Sequence, residues 1–78
     1  MRILDESSDK KLDNISLFFT EEEASEMRDS LELLLFKKSG HHHINNESFD
    51  KEITVCLYDK KKLNGFHERA KKLILEDQ

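Results

Sequence analysis

The sequence predicts an α+β fold: a two-layer sandwich in the order ββαββα, with four strands in one mainly antiparallel sheet and two helices on one of its faces. Three observations carry this expectation. "ISLFFT" and "EITVCLY" alternate in the two-residue period of a half-buried strand. Two other segments carry apolar residues at helical spacing. The chain has 78 residues and a 36% hydrophobic content arranged in periodic blocks, so it reads as one small folded domain, residues 1–78, with a thin core.

The first strand is expected within "RILDESSDKK", whose polar second half then serves as a loop. In "ISLFFT", Ile15, Leu17 and Phe19 project to one face and Ser16, Phe18 and Thr20 to the other, because side chains alternate along an extended chain. Thr20 followed by Glu23 fits a capping box, in which hydroxyl and carboxylate satisfy backbone N–H groups left unpaired by the first helical turn. A helix is therefore expected to start there. Glu21 to Glu23 suit its positive end, Lys37 and Lys38 its negative end, and Gly40 is expected to supply the left-handed closing residue. Its apolar stripe is Ala24, Met27, Leu31, Leu34 and Leu35.

"HHHIN" then reads as a strand in which His42 shares the covered face with Ile44, while His41 and His43 turn to the open face. "EITVCLY" places Ile53, Val55 and Leu57 against Thr54, Cys56 and Tyr58. A second helix is expected from a cap at Asp59 or Asn64, with the stripe Leu63, Phe66, Ala70, Leu73 and Ile74 and an i,i+4 pair of Glu68 and Lys72. Two helices with one apolar stripe each need a sheet face to cover, which is why a two-layer arrangement follows.

Composition limits the function. Seventeen acidic against thirteen basic residues give a net charge of −4, and the lysines are dispersed, so a nucleic-acid partner is disfavoured. Protonating the four histidines cancels that charge, which lowers solubility in mild acid. The one cysteine cannot form an intramolecular disulfide, "MRILDESS" lacks the apolar run of a signal peptide, and no stretch reaches the roughly 20 apolar residues of a membrane span. A cytoplasmic location with no membrane partner is the resulting expectation.

His41 and His43 offer two imidazoles on one strand face, and Cys56 is the third side chain that could join them in a metal site; a stable zinc site needs three or four ligands. No C-x-x-C or H-E-x-x-H supports that reading, and a polar strand facing solvent or a partner explains the same residues. No cofactor is implied. Cys56 lacks a base beside it in the sequence, and no glycine-rich loop is present to cradle a phosphate, so the chain does not read as an enzyme. The open face would instead gather Phe18, His41, His43, Cys56 and Tyr58, while Leu33 and Phe36 fall off the main stripe of the first helix.

"HHHINNESFDKEITVCLYD" followed by "FHERAKKLILED", with "DESSDKKLDNISLFFTEEEASEMRDSLELLL" before them, resembles a small family of uncharacterised bacterial proteins. The resemblance implies a bacterial cytoplasmic protein and brings no activity, cofactor or site. Together these readings lead to a non-enzymatic, acidic interaction module that binds a protein partner, or itself as a homodimer, through an uncovered sheet face. The alternative is a small metal- or ligand-binding protein using the His41 and His43 strand face.

Overall fold

A computed structural model describes residues 1–78. The elements are β1 (Ile3–Asp5), β2 (Lys10–Leu12), α1 (Glu21–Lys37), β3 (His41–Asn45), β4 (Glu52–Cys56) and α2 (Glu68–Glu76). The expected four-stranded sheet is absent. β1 pairs only with β2 and β3 only with β4, giving two separate antiparallel hairpins. Each strand takes the partner nearest in sequence, whose short loop carries the smaller closure entropy.

The chain divides into two compact units: Met1–Leu17 with Asp59–Gln78, and Phe18–Tyr58. In the first, the turn between β1 and β2 is closed by Asp5, whose carboxylate accepts from the Ser7 amide at 3.0 Å and the Ser8 hydroxyl at 2.8 Å. Those two donors, Ser8 foremost, hold the Asp5 carboxyl below its ordinary value. Two arginines join this hairpin region to α2. Arg2 donates from Nε to the Leu73 and Ile74 carbonyls at 3.1 and 3.3 Å; the Leu73 carbonyl also accepts from the Asp77 amide at 2.9 Å, and that of Ile74 is among those that the end of a helix leaves unpaired. Arg69 donates to the Asp9 carbonyl and carboxylate and to the Gln78 carbonyl. Leu73 and Ile74 are the buried residues of this unit.

Two expectations about this unit are corrected. "ISLFFT" is not a strand: residues 15 to 20 form no ladder, and Ile15, Leu17 and Phe18 are exposed. The second helix starts at Glu68 rather than near Asp59 or Asn64, with His67 as its cap, Nδ1 accepting from the Ala70 amide at 3.3 Å. Turns closed by Lys62 N–H to Asp59 O and Phe66 N–H to Leu63 O occupy the preceding residues, and Gly65 at φ +94° lies outside the helical region.

The second unit is built on α1 and the β3–β4 hairpin, which α1 packs against. The capping box forms as expected: the Glu23 amide donates to Thr20 Oγ1 at 3.1 Å and the Thr20 amide to Glu23 Oε1 at 2.9 Å. The helix closes two residues earlier than its glycine suggests, with Lys38 rather than Gly40 as the left-handed cap (φ 62°) and its N–H on the Leu34 carbonyl. The more covered line of α1 is Glu23, Met27, Ser30 and Leu34, so Ala24, Leu31 and Leu35 of the expected stripe stay exposed. Leu34 and Ile44, 2% and 5% exposed, form the core of this unit. No helix is long and apolar enough to cross a membrane.

Candidate interaction surface

The β3–β4 register pairs His41 with Cys56, His42 with Val55, His43 with Thr54, Ile44 with Ile53 and Asn45 with Glu52. Alternation then divides the hairpin. Ile44 is buried and His42 half-buried, opposite Ile53 and Val55, on the apolar face; His41, His43 and Cys56 are exposed on the other face with Glu52 and Thr54. The division of the three histidines matches the sequence pattern.

His43 is held by β4. Its Nδ1 lies 2.6 Å from Glu52 Oε1 and 2.8 Å from Thr54 Oγ1, a geometry in which Nδ1–H donates to the carboxylate. The His41 and His43 rings meet edge to face with centroids 5.1 Å apart. Cys56 stands across the ladder from His41. No group of three histidine, cysteine, aspartate or glutamate side chains is arranged to hold a metal ion. His43 Nδ1 is instead occupied by a cross-strand carboxylate, a contact that the hairpin register places and that the histidine spacing alone did not suggest.

Of the expected aromatic companions, Phe18, 90% exposed, sits in the extended run before the capping residue Thr20 and not on a strand. Tyr58 lies just beyond β4 and is half-buried. Leu33 and Phe36 are exposed on α1, Phe36 at 85%. The open hairpin face is thus polar, while the exposed apolar area of this unit comes from α1 and the segment leading into it. Leu31 and Leu35, which the sequence assigns to the core stripe, add to it.

The β3–β4 loop is tied by one side chain. Asn46 Oδ1 accepts from the Asp50 and Lys51 amides, both at 3.1 Å, while its Nδ2 donates to the Ser48 hydroxyl and the Asp50 carboxylate. These contacts, with Asn46 first and Ser48 second, hold the Asp50 carboxyl below its ordinary value. Phe49 at the loop tip has φ +56° and is 78% exposed, an unusual backbone state for a bulky residue.

Searches against protein-family models, curated proteins and solved structures find nothing that matches this chain.

Proposed function

We propose that this chain is a non-enzymatic interaction module that acts by covering its exposed apolar surface with another protein surface, either a partner or a second copy of itself. One observation supports this above all. The second unit buries two large apolar side chains, Leu34 and Ile44, yet exposes Phe18, Phe19, Leu31, Leu33, Leu35 and Phe36. Units of about 40 residues usually need a disulfide, a metal or association to be stable, and the only cysteine, Cys56, has no second cysteine to join. The acidic net charge of −4 favours protein over nucleic acid as the partner, and the reading includes a cytoplasmic, bacterial setting.

The test compares the wild-type chain with the double variant Phe18→Ser/Phe36→Ser. Sedimentation and pull-down from the native host are expected to show self-association or a retained partner, lost in the variant while the far-UV CD spectrum is kept. A wild-type chain that remains monomeric and retains no partner overturns the reading.

A further inference from the structure

We infer that the partner is a second copy of the chain, paired through the outer edge of β3 in antiparallel fashion about a two-fold axis at His43. The inference rests on the interaction-module reading and names its partner and contact.

The backbone supplies the first argument. Leu57 N–H donates to the Gly40 carbonyl at 3.2 Å and Asn46 N–H to the Lys51 carbonyl at 3.4 Å. Hydrogen-bonded and non-bonded pairs alternate along an antiparallel ladder, so Gly40, His42, Ile44 and Asn46 bond inward to β4. His41, His43 and Asn45 therefore aim their N–H and C=O groups away from β4, where the two-stranded sheet has no neighbour. β3 carries no lysine, no proline and no bulge, the usual guards of an exposed edge.

That row is self-complementary. With the axis at His43, each His43 exchanges two backbone bonds with its copy, and His41 faces Asn45 of the other chain. On the apolar face the rows Ile53–Ile44 and His42–Val55 join end to end across the new contact, so no charged side chain enters them.

α1 supplies the second argument. Glu22 and Glu26 line an open groove with His43 and Asn45, and Leu34 lies 3.9 Å from where a Cβ on Gly40 would stand. α1 thus runs antiparallel to β3, and His43 lies near the middle of the helix. Two hairpins joined at β3 have centres two strand spacings apart, about 10 Å, the distance at which helices pack. The flank of α1 on the groove side continues as Glu22, Glu26, Asp29, Leu33 and Lys37 at helical spacing. The two-fold axis turns the acidic half of this flank toward the half bearing Leu33 and Lys37 in the other copy. Asp29, further along this flank, pairs with Arg28 at 3.1 Å.

The experiment places probes on the two strands. In a Cys56→Ser background, His43→Cys is expected to give a disulfide-linked dimer under mild oxidation, since facing Cα atoms about 5.5 Å apart fall within disulfide reach; Thr54→Cys is expected to give none. His43→Lys puts two ammonium groups at the axis and is expected to raise the dimer dissociation constant at least tenfold with the CD spectrum unchanged. A dimer indifferent to His43→Lys, or one that crosslinks as readily through Thr54→Cys, overturns the β3 contact and leaves the interaction-module reading standing. A monomer that still retains a host protein through Phe18 and Phe36 does the same. A monomer with no partner overturns both.

Discussion

At the start of α1 the Thr20 hydroxyl and the Glu23 carboxylate accept from two otherwise unpaired amides. Thr20→Ala is expected to lower stability by about 1 kcal/mol in urea denaturation, the usual cost of losing such a cap. This cap was legible because its two residues stand at a fixed spacing and need nothing distant. Phe49 gives the opposite case, since nothing in "NNESFDKE" marks it as left-handed. Asn46 dictates that turn through four side-chain hydrogen bonds, and Phe49 takes the backbone state the closure leaves. With a side chain 78% exposed, little packing is lost on truncation, so Phe49→Gly is expected to raise stability by up to about 1 kcal/mol in the same measurement.

Among the elements, α1, β3 and β4 could be read from periodicity because each is specified by its own residues and a neighbour close in sequence. α2 was legible in its body, where Leu73 and Ile74 of the expected stripe are buried, but not at its start, and "ISLFFT" was misread as a strand. The Leu63 and Phe66 spacing suits a helix, but Asn64-Gly65 turns the chain first, and the alternation in "ISLFFT" meets no partner strand. The site was legible to the same depth. His41, His43 and Cys56 share a face as alternation requires, whereas Phe18 and Tyr58 depended on strands extending further than they do.

Arg2 satisfies two carbonyls at the end of α2 with its side chain largely covered, so Arg2→Ala is expected to cost about 1 to 3 kcal/mol and to speed amide exchange in α2. Asp5 is held below its ordinary value when folded, so its ionised form stabilises the β1–β2 turn above the unfolded value. That stability is lost as pH falls through the lowered folded value, at about pH 4 and below. The Ser7 and Ser8 resonances should move in that window, and should not in Asp5→Asn.

For the molecule as a whole, the cores are small and the exposed apolar inventory is large, which is the ground for the proposed association. If the chain stabilises itself by pairing, its thermal midpoint rises with protein concentration, because only the folded state pairs. Calorimetry over a hundredfold concentration range is expected to show that rise for the wild type and a flat midpoint for His43→Lys. Two hairpins stand where the alternation pattern predicts one sheet. Alternation states that a strand wants a neighbour but is silent on which one, and loop closure decided for the nearest.

The two arginine ties also bear on the order in which the protein assembles during synthesis. Arg69 reaches Asp9 across 60 positions and Arg2 reaches Ile74 across 72, whereas every pairing in Phe18–Tyr58 is available once residue 58 has emerged. Pairings confined to Phe18–Tyr58 can therefore form before those of Met1–Leu17 with Asp59–Gln78, whose first hairpin gains its arginine ties only after the last helix has been made.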